Sequence, residues 1–375
     1  MRNDDRRKGS VFDMHIERRS SRKIRLGSVA IGGDAPISVQ TMTKADTRDA
    51  DACLRQIESV AELGCDIVRL AVPDQAAARG LAAVRARTAL PLVADIHFDA
   101  DLALMALDAG VDGLRINPGN IGGVDRVRSV VRAAEPRRVP IRIGVNAGSL
   151  EKDLLAKHGG ATPDALVESA LRHARMLEDF GYAEIKISAK ASDTRRTVET
   201  YRALAERTSY PLHLGVTEAG TLLPGTVRSC VAMGILLAEG IGDTVRVSLT
   251  DTPDLEVKVG LELLRSLGLR APGPAVISCP TCGRIEVDVR ATAHAVEEAL
   301  EKHCRAHPTA PRPVVAVMGC RVNGPGEARE ADIALAGGRG KFAIYVDGQP
   351  DGAVDEAHAV EAVLDRVRAW QPKPT

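Results

Sequence analysis

The residues best suited to chemistry stand late in the chain. The stretch ISCPTCGR sets Cys279 and Cys282 in a C-x-x-C spacing. A tight turn there lets two thiolates converge on one metal site, and Gly283 allows the backbone to bend closely. Cys320 follows in VMGCRVNGPGEA, with Glu327 a short way beyond it. Asn323-Gly324-Pro325-Gly326 is a strong turn sequence, able to fold the chain back so that Glu327 approaches the metal. Thiolates hold both iron–sulfur clusters and structural zinc. Spacing alone leaves three readings open: a cluster, a zinc site completed by Cys304, or buried thiols with no metal. Cys304 lies in HAVEEALEKHCRAH, a predicted helix in which it would simply pack. Cys53, Cys65 and Cys230 fall in helical stretches or beside strands and read as core packing.

A second group of reactive types lies earlier. Side chains two apart on a strand share a face. Arg115 and Asn117 therefore point the same way, as do Arg142 and Asn146, and so do Lys186, Ser188 and Lys190. Asp95 goes with His97, His213 with Thr217, and Arg246 with Ser248 and Thr250. A single arginine at a strand end is usually a surface ion-pair partner. Arg69, Arg115 and Arg142, on what read as adjacent strands with one mouth, point instead to a multiply charged ligand such as a diphosphate. The planar guanidinium fork suits that ligand because it holds two phosphate oxygens at once. His97 and His213 read equally well as structural or catalytic.

The elements that must position these groups repeat from about residue 37 to 268. A short Val/Ile/Leu-rich run ends in polar residues, and a helix-length amphipathic stretch follows it. The predicted strands are 37–42, 66–72, 91–98, 113–119, 140–149, 184–192, 211–220 and 244–250. Between them, Leu166, Ala170, Leu171, Ala174 and Leu177 recur at helical spacing, and Leu261, Leu264 and Leu267 do so after the last strand. This alternation predicts an α/β fold, a TIM-type (β/α)8 barrel, whose active site would lie at the C-terminal ends of the strands. No G-x-G-x-x-G follows any strand, which weakens a dinucleotide-binding alternative. The Pro/Gly-containing RAPGPAV ends the rhythm. Residues 1–270 are thus expected to form a tail and a barrel that binds the charged ligand. Residues 273–375 are expected to form a smaller α+β domain carrying the thiols, closed by a helix with Val360, Val363, Leu364 and Val367.

Composition narrows the function. Lys+Arg and Asp+Glu both number 50, so no basic excess supports nucleic-acid binding. Aromatic residues at 2% leave few stacking platforms for single strands. No apolar run is long enough to span a bilayer. The basic N-terminus, residues 1–23, lacks an apolar core and reads as a solvated tail rather than a secretory signal. An odd cysteine count, 7, argues against a disulfide scaffold and for a reducing, cytoplasmic setting.

With these residues laid out, the chain resembles the 4-hydroxy-3-methylbut-2-enyl-diphosphate synthase family in its bacterial two-domain form. The stretches that carry the resemblance are VADIHFD, LRINPGNIG, IRIGVNAGSLEKD, HLGVTEAG, EGIGDTVRVSL, CPTCGR and GCRVNGPGEA. The first βα loop departs, reading QTMTKA over 40–45 where family members often read QSMTNT. The resemblance implies a TIM-type barrel and an iron–sulfur domain similar to part of the sulfite and nitrite reductases. It implies a 4Fe-4S cluster held by Cys279, Cys282, Cys320 and Glu327, and a homodimer in which one subunit's cluster domain caps the other's barrel. It also implies the substrate 2-C-methyl-D-erythritol 2,4-cyclodiphosphate, held by Arg69, Arg115 and Arg142 with Asn117 and Asn146 beside them. A flavodoxin or ferredoxin would supply two electrons. A carboxylate oxygen is a poorer match to cluster iron than a thiolate, which would make Glu327 the displaceable, catalytic ligand. The runner-up reading is a pterin-dependent transferase barrel with a structural zinc domain, which leaves NGPGE after Cys320 unexplained. A phosphate-ligand sensor with a structural metal domain is the third.

Overall fold

The computed structural model describes residues 16–270, 273, 275–307, 309–320, 326 and 331–372. The chain divides into two compact units, Met1–Arg270 and Ala271–Thr375.

The first unit opens with an antiparallel hairpin of β1 (Ile24–Leu26) and β2 (Val29–Ile31). Eight parallel strands follow: β3 (Ser38–Met42), β4 (Ile67–Ala71), β5 (Leu92–Asp95), β6 (Gly113–Ile116), β7 (Ile141–Asn146), β8 (Ile185–Lys190), β9 (His213–Leu214) and β10 (Thr244–Val245). Their order is β8-β7-β6-β5-β4-β3-β10-β9, and a parallel bridge between Ile187 and Leu212 closes the ring. The helices are α1 (Ala50–Glu62), α2 (Gln75–Arg85), α3 (Ala100–Asp108), α4 (Val124–Ala134), α5 (Lys152–His158), α6 (Pro163–Glu178), α7 (Thr194–Arg207), α8 (Leu222–Ala238) and α9 (Pro253–Ser266). Asp49, Asp74, Asp99, Thr162 and Asp193 each cap a helix by accepting from a first-turn N–H, which explains where those helices begin.

Two sets of strand side chains divide the labour. The outward set, including Val68, Leu70, Leu114, Ile116, Ile141, Ile143, Ile185 and Ile187, packs against the helices in one continuous core. The inward set is polar above a small apolar floor, where Ile67 and Val93 meet Ile24, Leu26 and Ile31 of the hairpin. Barrels of this type ordinarily fill their interior with branched apolar residues, so a polar interior requires another explanation.

Every predicted strand is present, most of them shorter than their stretches. The last two shrink to β9 and β10 because the residues beyond them leave the ladder to form the mouth. The predicted N-terminal tail is only partly a tail. Arg18 pairs with Asp243 at 3.1 Å, Arg19 donates to the Tyr210 carbonyl at 2.8 Å, and the Arg22 N–H donates to the Ser209 carbonyl at 2.7 Å. These bonds tie residues 18–22 to the barrel; residues 1–15 lie outside the described residues.

The second unit is a five-stranded sheet in the order β11-β12-β13-β14-β15. Its members are β11 (Ala275–Ser278), β12 (Val314–Met318), β13 (Ile333–Gly338), β14 (Lys341–Val346) and β15 (Gln349–Asp355). The first three are parallel and the last two antiparallel. Arg339-Gly340 and Asp347-Gly348 make the two hairpin turns, each with positive φ at both residues, the backbone that matches strand twist. Helices α10 (Val289–Ala306) and α11 (Ala359–Ala369) pack on one face, burying Val289, Val296, Leu300, Val363 and Val367 against Val315, Val317, Leu335 and Phe342. Val360 and Leu364, also predicted for the final helix, are partly buried against this core.

Candidate active site

The barrel interior is built in rungs. Asp95, Arg115, Arg142 and Lys186 are register partners across β5, β6, β7 and β8, so they share the inward face. Two residues further on, Gly144 pairs with Ser188, and above them Asn146 pairs with Lys190. Arg69 enters from β4, while His213 and Arg246 enter from the β9 and β10 side. All of Asp95, Arg115, Asn117, Arg142, Lys186, Lys190 and His213 are buried.

Asp95 is the anion of the middle. Arg115 Nη1 donates to it at 3.0 Å, and Arg69 Nε stands 3.7 Å away. His97 Nε2, on a half-exposed ring, is 3.5 Å from the same carboxylate. Burial alone would raise the Asp95 pKa, but Arg69, His97 and Arg115 hold it below the usual carboxylate range. Glu256 is the counterpart at the seam between the first and last barrel strands. It accepts from Thr41 Oγ1 at 2.8 Å and from the Leu249 N–H at 2.9 Å. It lies 3.2 Å from Lys44 Nζ and 3.6 Å from Arg246 Nη2. Lys44 also donates to the Leu249 carbonyl at 2.6 Å, so the divergent first βα loop is strapped to the eighth.

The remaining charge is an excess of cations. Arg142 Nη1 donates to Ser188 Oγ at 2.6 Å, while its Nε and Nη2 are buried without partners. Lys186 Nζ has a distant neighbour in Thr244 Oγ1 at 3.5 Å. Burial, reinforced by Arg142, pushes the Lys186 pKa down to about 7. Burial and then Arg246 and Arg142 lower Lys190 well below its ordinary value. Arg69 is pushed down to about 10, chiefly by burial, and Arg142 is lowered further by burial and by Arg69 and Arg115. Arginine stays protonated near neutrality, so these shifts register repulsion and desolvation that a bound anion would relieve. His213 is fully buried, and burial followed by the field of Arg142 and Lys190 keeps it neutral. Both its ring nitrogens lack partners. Glycines make room for these chains: a Cβ on Gly215 would lie 2.5 Å from Lys190 Nζ.

Of the predicted ligand residues, the structure brings Arg69, Arg115, Asn117, Arg142 and Asn146 into this one chamber. Two details differ from expectation. The three arginines are not on adjacent strands, because β5 lies between Arg69 and Arg115 and supplies the neutralising Asp95. Arg142 is also deeper than a mouth residue; it sits near the start of β7 and reaches upward to Ser188. Lys190 and Arg246 belong to the same chamber although the anion set drawn from sequence omitted them. Their signal was present in the shared faces of 186–190 and 246–250.

In the second unit, Cys279 follows β11 and Cys320 follows β12, the neighbouring parallel strand, so both stand at the same end of the sheet. The Cys279 N–H donates to the Val317 carbonyl at 3.2 Å, and the Glu286 N–H to the Gly319 carbonyl at 2.9 Å, which folds the 279–286 loop onto the end of β12. A Cβ on Gly319 would lie 2.4 Å from Val289 Cγ2 and 3.4 Å from Cys279 Sγ, so only glycine allows this approach. Cys282 is exposed, and hydrogen bonds from the backbone and side chain of Arg284 lower its pKa toward the thiolate. Two sulfurs at adjacent strand ends, with the thiolate-leaning Cys282 in the loop between them, suit a metal centre. Among the described residues no tight group of three or more His, Cys, Asp or Glu side chains is placed to hold a single metal ion. Glu327 and Asn323–Pro325 lie outside the described residues. Cys304 is on α10 and half-buried, and Cys53 and Cys65 are buried in the barrel unit.

Comparison with known proteins accounts for both units. The GcpE TIM-barrel domain model matches residues 21–261, and the GcpE protein C-terminal domain model matches 275–369. A protein of Geobacter sulfurreducens named 4-hydroxy-3-methylbut-2-en-1-yl diphosphate synthase (flavodoxin) is 56% identical over 347 residues, covering 92% of this chain and 97% of that protein. One of the same name from Thermodesulfovibrio yellowstonii is 51% identical over 354 residues, covering 94% and 99%. The chain belongs to the GcpE family, the 4-hydroxy-3-methylbut-2-en-1-yl diphosphate synthases.

Proposed function

We propose that the chain opens the ring of 2-C-methyl-D-erythritol 2,4-cyclodiphosphate reductively, with loss of water, to give (E)-4-hydroxy-3-methylbut-2-enyl diphosphate. This is the penultimate step of the non-mevalonate isoprenoid pathway, carried out by a cytoplasmic oxidoreductase. The observation that carries the reading is the uncompensated charge of the barrel. Among the described residues, Arg69, Arg115, Arg142, Lys186, Lys190 and Arg246 are set against Asp95 and Glu256, with Asp243 adding its field at Lys186, and Arg142 keeps buried guanidinium nitrogens without partners. A cyclic diphosphate supplies the missing negative charge and the acceptor oxygens together. Arg69, Arg115 and Arg142 bind it, Lys190 and Arg246 extend that grip, and the Asn117 and Asn146 amides orient its polar groups. Holding both phosphates fixes the ring carbon, which is how binding energy is turned into positioning.

The C-terminal unit holds a 4Fe-4S cluster through Cys279, Cys282, Cys320 and Glu327. Bound there, the cluster supplies electrons one at a time, which no side chain can do. The Glu327 oxygen is its most readily displaced ligand. Reduced flavodoxin, the carrier that the relatives' names include, or a ferredoxin supplies the electrons. The working form is a homodimer, a reading supported by Leu223, Val227, Val231 and Ile235, which repeat every fourth residue along α8 and are exposed.

Anaerobic incubation of the holoenzyme with the cyclodiphosphate and reduced flavodoxin tests this reading. Mass spectrometry should show the linear hydroxybutenyl diphosphate; recovery of unchanged cyclodiphosphate would refute it.

A further inference from the structure

Asn117 follows β6 and Asn146 ends β7, and one buried side chain outside the barrel touches the segments that follow both. His173 lies on α6 and is 1% exposed. Its Nε2 stands 3.0 Å from Glu151 Oε1. Glu151 ends the turn that leaves β7 after Asn146 and precedes α5. The other Glu151 oxygen accepts from Ser169 Oγ, on the same helix as His173, at 2.8 Å. Burial opposes ionisation of Glu151, but the nearby His173 ring and the bond from Ser169 outweigh it and hold the pKa at about 2. The carboxylate therefore stays ionised within ion-pair distance of the imidazole, although Glu151 Oε1 itself completes no hydrogen bond of good geometry.

The same imidazole edge bears the loop after β6. A Cβ on Gly119 would come 2.9 Å from His173 Nε2 and 3.5 Å from its Cε1, so the backbone there lies directly against the ring. The Gly119 N–H donates to Asn117 Oδ1 at 3.1 Å, and the Asn120 N–H donates to the Asn117 carbonyl at 2.9 Å. The residue that rests on His173 thus also holds the Asn117 amide in its rotamer. A helix residue with a purely structural role would pack against the barrel wall; this one connects the segments that follow Asn117 and Asn146.

We propose that His173, paired with Glu151, is a positioning residue that sets the separation of Asn117 and Asn146 for the cyclodiphosphate. The inference rests on the reading that those amides bind this substrate. It assigns a task to PGNIG and GSLE, parts of the family stretches that the ligand residues themselves leave unexplained.

The test is steady-state turnover of the cyclodiphosphate by the holoenzyme with an artificial reductant, alongside iron and sulfide content. His173→Ala should raise KM on the order of 10-fold or more with kcat changed by less than about 3-fold, as expected for misplaced binding groups. Its iron and sulfide should match the wild type. His173→Gln, which keeps a donor near the Nε2 position, should return KM to within about 3-fold of wild type. Gly119→Ala should raise KM alone but cost less when added to His173→Ala, because the new methyl then enters vacated space. If His173→Ala folds poorly, the glutamine and Gly119→Ala variants decide: wild-type KM in Gly119→Ala, or loss of cluster with unchanged KM in His173→Gln, would overturn the proposal. So would a wild-type KM in His173→Ala. Absence of turnover by the wild-type protein would instead sink the functional reading itself.

Discussion

A Cβ on Gly144 would lie 2.3 Å from Arg115 Nε and 3.0 Å from its Cζ. The β7 strand is therefore notched at Gly144, and the arginine of β6 crosses the notch to donate to the Gly144 carbonyl at 3.3 Å. Gly144→Ala should force Arg115 away from Asp95 while leaving the outward core untouched. The expected result is a KM for the cyclodiphosphate raised on the order of 10- to 100-fold with a nearly unchanged melting temperature. Steady-state kinetics and thermal denaturation check the two halves separately.

The cation chamber limits the stability of the unliganded protein. Arg142→Met removes a buried charge whose Nε and Nη2 have no partner and replaces it with an apolar chain of similar length. Such exchanges of buried charges are often neutral or stabilising by about 1–4 kcal/mol. The Tm of the ligand-free variant should equal or exceed wild type, while inorganic pyrophosphate, which should raise the wild-type Tm, should no longer do so. Calorimetry with and without pyrophosphate measures both effects.

Lys186 gives the chamber a signature in pH. Its pKa falls from 10.5 to about 7 on folding. Below that window both states carry the proton and the burial penalty is felt in full. Between about 7 and 10.5 the unfolded chain holds more protons than the folded one, so stability rises with pH. Lys186→Met should abolish this slope. The stability advantage of the variant over wild type should be largest near pH 6 and should shrink steadily toward alkaline pH, as followed by urea denaturation across that range.

In the second unit, serine at Cys279, Cys282 or Cys320 should each lower iron and acid-labile sulfide content and abolish turnover, because a hydroxyl is a poor substitute for a cluster thiolate. Glu327→Ala should lose most turnover while three thiolates retain part of the iron. Full iron with wild-type turnover in any serine variant would remove that residue from the ligand set.

Much of this was legible in the sequence, for local reasons. Alternation of side chains on a strand was enough to place Arg115 with Asn117 and Arg142 with Asn146, because β6 and β7 are regular where those arginines sit. The C-x-x-C signal is local turn chemistry, and NGPGE, apart from Gly326, lies outside the described residues. Depth and long-range pairing were not legible. Arg142 reads as a mouth residue until the register with Arg115 and Lys186 sets it low in the barrel. Glu256 reads as an acid near a helix start, where the dipole favours one, yet its carboxylate holds Thr41, Lys44 and Arg246 across the seam. The hairpin at residues 24–31 went unseen because strands of 3 residues are too short to show a period.

The proposed reaction requires a redox centre held by the C-terminal unit that responds to the diphosphate bound by the barrel. Electron paramagnetic resonance of the anaerobic, dithionite-reduced protein, with and without the cyclodiphosphate, tests it most directly. The expected result is an iron–sulfur signal that changes when the substrate is added. A protein with no paramagnetic iron centre, or a spectrum identical in both samples, would contradict it.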